Sequence, residues 1–160
     1  MAWAALQRAE FPASGAFGLR DLAPGDLPDL EQLLPPPLNR RVRHIVTENQ
    51  RVEQFCTAMR SNDWASLGTL MAMGQDSLRE NYEVSVPELD ALCTMANALP
   101  GVIGSRLTGA GFGGCTVHLV KADQREAVEK ELQAVFQRRF GRPLRVIRTG
   151  IGGGALCEVL

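Results

Sequence analysis

From Asn39 onward, apolar residues return every three or four positions. Val42, Ile45, Val46, Asn49, Val52, Cys56 and Met59 fall on one mostly apolar stripe, the pattern of a helix with one face turned inward. Ser61-Asn62-Asp63 stops that helix and caps the next. In the second helix Trp64, Leu67, Leu70, Met71 and Leu78 form the stripe. So short a connection predicts two antiparallel neighbours. A third helix opens with Ser85 three residues before Glu88, the spacing of a capping box, and Pro87 sits in its first turn. Leu89, Leu92, Cys93, Ala96 and Leu99 make its inner face, and Pro100-Gly101 ends it.

The period then shortens. Val102-Ile103 start a short strand, a glycine-rich loop follows, and Cys115 to Val120 form a second strand rich in β-branched and apolar residues. Asp123 and Glu126 have the spacing of another capping box, before a helix that turns Val128, Leu132, Val135 and Phe136 inward. Gly141-Arg142-Pro143 breaks it, and Leu144 to Ile147 reads as a last strand. The tail, with Gly152-Gly153-Gly154, reads as a loop and then a short strand. Residues 1–38 read as an irregular, weakly organised lead-in punctuated by Pro24-Gly25 and Pro35-Pro36-Pro37, and residues 39–160 as the domain proper. Helices first, then β-loop-β-α-β, is an α+β order, with helices covering one face of a small, mainly antiparallel sheet.

A chain of 160 residues with 45% apolar content has enough material for one core. Its net charge of -1 offers no basic face for nucleic acid or an anionic membrane. Arg40, Arg41 and Arg43 cluster at a helix start and read as solvated. No apolar run is long enough to span a membrane, and Arg8 and Glu10 interrupt the N-terminal apolar run, so a cytoplasmic location is expected. The cysteines at 56, 93, 115 and 157 have no metal or redox spacing and read as buried free thiols. His44 and His118 are too few for a histidine metal site, and His118 reads as packed or superficial rather than catalytic.

The chemistry concentrates in GSRLTGAGFGGCTV, residues 104–117. Gly109, Gly111 and Gly114 match the dinucleotide fingerprint, but that fingerprint must open a helix, and here a strand follows. No Gly-Lys-Ser/Thr closes the loop, so it is not a Walker loop. It imitates the glycine loop of protein kinases, but Lys121 comes too soon and neither His-Arg-Asp nor Asp-Phe-Gly occurs. What remains is a strand-loop-strand with bare amides. These can converge into an anion-holding nest, or can merely let backbone pack tightly.

Several stretches together resemble the GHMP family of small-molecule kinases, most closely its galactose-phosphorylating members. The loop SRLTGAGFGGCTV resembles the family's third motif. RVRHIVTENQRV at 41–52, SLRENYEVSVPELD at 77–90 and PGVIGSR at 100–106 resemble further stretches in the right order, and the likeness starts near Phe17. The resemblance implies a ferredoxin-like C-terminal domain with extra helices. It implies transfer of the ATP γ-phosphoryl group to the anomeric hydroxyl of galactose, with ATP and Mg2+ as cofactors. Thr108, Gly109, Ala110, Gly111, Phe112, Gly113 and Gly114 match the motif that lies near the phosphates and shapes the cleft, with Ser105 and Arg106 as flanks. Arg106 is expected to face either the site or a structural acid, and Tyr82 and Glu83 are expected to be structural.

The family's sugar motif, ATP loop with its magnesium site, and catalytic Asp belong to an N-terminal part. None of them is found in this sequence, so the expected partner is that missing half. The resemblance therefore assigns no catalytic and no metal-binding residue to this chain. Where family members carry Glu-Ser-His, this chain has Met73-Gly74-Gln75, and Leu107 stands where Met is usual. A non-catalytic sugar- or nucleotide-sensing domain of the same descent is the alternative.

Overall fold

The computed structural model describes residues 1–9, 11, 18–150 and 152–153. The order of its elements is α1 (Ala2–Arg8), α2 (Leu27–Leu33), α3 (Leu38–Arg60), α4 (Trp64–Ser77), α5 (Pro87–Asn97), β1 (Val102–Thr108), β2 (Cys115–Val120) and α6 (Arg125–Phe140). Short 3-10 turns precede α2 and α6, and a π-helical turn, Leu78–Tyr82, extends α4.

Capping follows the sequence at one junction and departs from it at two. Asp63 caps α4 by accepting the amide of Ser66 at 3.0 Å. At α5 the N-cap is Val86, with Pro87 at the first helical position and no side-chain cap. Ser85 instead gives its hydroxyl to Asp90 at 2.8 Å. Before α6, a 3-10 turn over Ala122–Gln124 intervenes, and Gln124 is an N-cap without a side-chain bond.

The lead-in is more ordered than its composition predicts. Leu6, Leu22, Leu30 and Leu34 close over Val42 and Val46 of α3 in one apolar cluster. Only the first half of the α3 stripe is thereby covered; Val52 and Met59 remain 57% and 49% exposed, and Cys56 is exposed too. Periodicity marks a stripe but does not say how far its cover extends. The side of α3 turned to α4 buries His44, Arg51 and Ala58 instead. There His44 Nδ1 meets Ser77 Oγ at 3.0 Å, and the ring stacks on Tyr82 with centroids 4.5 Å apart.

β1 and β2 pair antiparallel, from Thr108 opposite Cys115 to Val102 opposite Val120, with an irregularity between Val102 and Gly104. These are the two strands among the described residues. β1 is longer than Val102-Ile103 alone suggested. The helix α4 approaches β1 at backbone distance: a Cβ on Gly68 would stand 2.1 Å from the Ile103 carbonyl oxygen. Leu92 and Ala96 of α5 meet Val128, Leu132 and Phe136 of α6 in a separate cluster. The expected strand at Leu144 to Ile147 is irregular backbone. A strand needs a neighbour to take its hydrogen bonds. This segment instead runs back along α6, where Arg148 meets Glu129 at 2.7 Å, and Ile147 is left exposed. The expected tail strand, Cys157 and Phe17 lie outside the described residues.

Candidate functional site

The turn between β1 and β2 is built on left-handed backbone. Gly109, Gly111 and Gly113 have φ of 82, 84 and 105°, and Phe112 joins them at 55°. Such φ values suit glycine and strain other residues. Phe112 stands at the tip with 73% of its surface exposed. Its amide donates to the Val84 carbonyl at 2.8 Å. Gly111 lies so close beneath that a Cβ there would stand 2.3 Å from the same oxygen. Among the described residues, the amides of Gly109, Ala110, Gly111 and Gly113 have no such backbone acceptor.

Val84 is a firm anchor. It is buried with Leu78, Leu89 and Leu107, and its amide donates to Leu78 O at 3.1 Å. Before it, Glu83 takes a left-handed conformation with φ of 57°. Arg40 holds the Glu83 carboxylate at 2.6 Å, and Arg41 binds that carboxylate and the Asn81 carbonyl. The basic cluster at the start of α3 therefore fastens the segment that carries the loop.

The two flanking residues point elsewhere. Ser105 is fully buried, and its hydroxyl meets His118 Nδ1 at 2.8 Å, while His118 Nε2 meets Thr116 Oγ1 at 2.7 Å. Burial pushes the His118 pKa down, so the ring is neutral and the three groups bind β1 to β2. Arg106 reaches α3, its Nη1 lying 2.5 Å from Glu48 Oε1, and Arg51 Nε holds the other carboxylate oxygen at 2.7 Å. Burial alone would raise the Glu48 pKa. The Arg51 hydrogen bond and the Arg106 charge outweigh it and leave the carboxyl below its ordinary value. Gly74 makes room for this arrangement, since a Cβ there would stand 2.6 Å from Arg106 Nη1.

Nothing in the residues around Val84 marks it locally as the anchor. Gln75 is a second one: its Oε1 accepts the Leu107 amide at 2.7 Å. A buried glutamine on an otherwise apolar helix face was the available clue.

Chemically, the loop offers hydrogen-bond donors and no acid, base or nucleophile. Fixed amides around an exposed turn fit the oxygens of a phosphate. The same residues do not fit a magnesium ion. Among those described, no group of three or more His, Cys, Asp or Glu could hold a metal. An open groove of about 600 Å³ between α3 and α4, bordered by Gln50, Gln54 and Asp63, shares no residue with the loop.

Comparison with known proteins places this geometry. Residues 55–138 match the model described as GHMP kinases C terminal, and the chain belongs to that family. Its relatives within the family are galactokinases. It is 41% identical over 146 residues to the galactokinase of Roseiflexus sp., covering 90% of this chain and 37% of the relative. To the galactokinase of Bos taurus it is 44% identical over 124 residues, 78% of this chain and 32% of the relative. A crystal structure of Lactococcus lactis galactokinase complexed with galactose superposes with a TM-score of 0.80 at 33% identity, over 89% of this chain and 37% of that one. The chain thus spans about a third of the length of the relatives it matches. The α+β architecture is that of the family's C-terminal region. No helix among the described residues is long and apolar enough to cross a membrane.

Proposed function

We propose that this chain acts as the C-terminal part of a galactokinase, which transfers the γ-phosphoryl group of ATP to the anomeric hydroxyl of galactose. The observation that carries this is the anchored turn at 108–114, whose free amides stand on fixed supports in a domain of the GHMP family. In such a transfer, charge spreads over the phosphoryl oxygens, and catalysis comes from positioning and from donors aimed at that charge. The amides of Gly109, Ala110, Gly111 and Gly113 supply donors, and with Phe112 and Gly114 the turn shapes the wall of the cleft. Thr108 closes the turn on the β1 side, and Phe112 seats its tip through the amide bond to Val84. Ser105 and Arg106 keep the strands and α3 in place behind it. The proton-transfer group, the main ATP loop and the ligands for Mg2+ belong, on this reading, to polypeptide outside these residues. Residues 39–160 are the domain, residues 1–38 lead into it, and the enzyme is cytoplasmic.

The test is a chimera. The matching segment of the Roseiflexus galactokinase is replaced by this chain, and galactose 1-phosphate is measured. The expected result is turnover that requires both galactose and ATP. A soluble chimera with a cooperative unfolding transition and no turnover overturns the proposal.

A further inference from the structure

Gln75 sits on α4, buried, where three elements meet. Its Oε1 accepts the Leu107 amide at 2.7 Å. Its Nε2 donates to Asp90 Oδ1 at 2.8 Å and to Ser85 Oγ at 3.1 Å. Ser85 closes the set by donating to the same Asp90 oxygen at 2.8 Å. Leu107 is the last buried residue of β1 before the exposed turn at 108–114. Its amide would be a buried orphan without this acceptor. The other support of the turn, Val84 O, belongs to the same short segment as Ser85.

We infer that Gln75 is a positioning residue for the glycine loop. It fixes the β1 side of the turn to residues 85–90, while Val84 fixes the tip, so that the amides of 109–114 are held in one arrangement before any ligand arrives. The inference rests on reading that loop as the phosphate-contacting element. A primary amide suits the task because it accepts from the strand and donates to the carboxylate at once. Neither a carboxylate nor a thioether of similar length does both.

The experiment uses the full 160-residue chain, isotopically labelled, with Gln75→Met and Gln75→Glu variants. Amide shifts and hydrogen exchange are read at Leu107 and Gly109 to Gly114, with Leu132 in α6 as the reporter of global opening. In Gln75→Met, Leu107 should lose roughly fivefold more protection than Leu132, the equivalent of one hydrogen bond. In Gln75→Glu, the carboxylate faces Asp90, and the Leu107 shift should leave its wild-type position at neutral pH. On acidification the new carboxyl gains a proton to donate to Asp90, and the shift should return. A role in packing alone gives no such return.

Inorganic phosphate is then titrated at neutral pH. The wild-type loop amides should respond, and Gln75→Met should bind about fivefold more weakly. Unchanged Leu107 and loop amides in Gln75→Met, or a pH-independent Gln75→Glu, overturns the clamp. If Gln75→Met does not fold, the Gln75→Glu pH response decides the matter alone. A wild-type loop silent to phosphate, with the Leu107 changes as expected, overturns the phosphate reading and upholds the clamp.

Discussion

Replacing Gly111 and Gly109 by alanine, one at a time, separates two reasons for a bare loop. Both residues have left-handed φ, 84 and 82°. Either alanine should therefore carry the strain of a Cβ in that region, about 1–2 kcal/mol. They differ in surroundings. A Cβ at Gly109 meets nothing within 4 Å, whereas one at Gly111 would stand 2.3 Å from Val84 O and 2.8 Å from Val84 Cβ. Overpacking of that kind costs about 1–3 kcal/mol. The loop has one escape, which is to lift off Val84 and give up the Phe112 hydrogen bond, at about 1 kcal/mol. Gly111→Ala should accordingly be about 1–3 kcal/mol less stable than Gly109→Ala. For a domain of this size that is a melting temperature roughly 2–12 °C lower. Urea unfolding followed by circular dichroism measures the difference, and equal slopes for the two variants license the comparison. Equal stabilities, with the Phe112 amide unmoved in Gly111→Ala, would refute the claim that contact with Val84 seats the loop.

Acid should weaken the fold in two stages. Burial lowers the pKa of both His44 and His118 below 6.5. The unfolded chain takes up those protons first, so stability present above pH 6.5 is lost as pH falls from there toward the lower folded values. Glu48, also lowered, adds stability that is present above 4.5 and is lost as pH falls below that through its folded value. Urea midpoints across this range check both stages, and a flat profile between pH 7.5 and 5.5 contradicts the first. Thiol labelling should divide the cysteines. Cys56 and Cys115 are exposed, whereas burial and the nearby Asp90 charge push Cys93 up to about 12. Peptide mass spectrometry should show iodoacetamide on the first two in the native protein and on Cys93 only after unfolding; native labelling of Cys93 at their rate counts against its burial.

What could be read from the sequence is what is decided locally. The inner face of α5 is buried at Leu89, Leu92, Cys93 and Ala96, β2 runs from Cys115 to Val120, and Asp63 caps α4, all as their neighbours in the chain dictate. The misreadings share a cause. Ser85 has the spacing of a cap, but Gln75 and Asp90 draw its hydroxyl away. Cys56 falls on the apolar stripe of α3, but the lead-in helices cover only its first half, so this thiol is exposed rather than buried; Cys115, the first residue of β2 beside the exposed turn, is exposed as well. Residues 144–147 have the composition of a strand and no strand beside them. In each case packing outside the local pattern decides. The site divides the same way: glycine content marks the loop, while Val84 carries no local signature and Gln75 shows only as a polar residue on an apolar helix face.

On the proposed reading of the turn at 108–114 as a phosphate receptor, its supports explain how so glycine-rich a backbone could serve. Ordering a flexible backbone costs about 1–2 kcal/mol per residue, so seven loose residues at 108–114 would forfeit most of what a phosphate group could offer in return. Here that ordering is done by folding. Arg40 and Arg41 fasten Glu83, buried Val84 holds Phe112, and Gln75 ties Leu107 to Ser85 and Asp90. All three supports converge on residues 83–90, which α3, α4 and α5 hold from different sides. Glycine lets the turn adopt its shape, and the surrounding side chains keep it there. Donors fixed in advance stabilise developing charge without reorganising, which is the condition for such a turn to favour a transition state over a ground state.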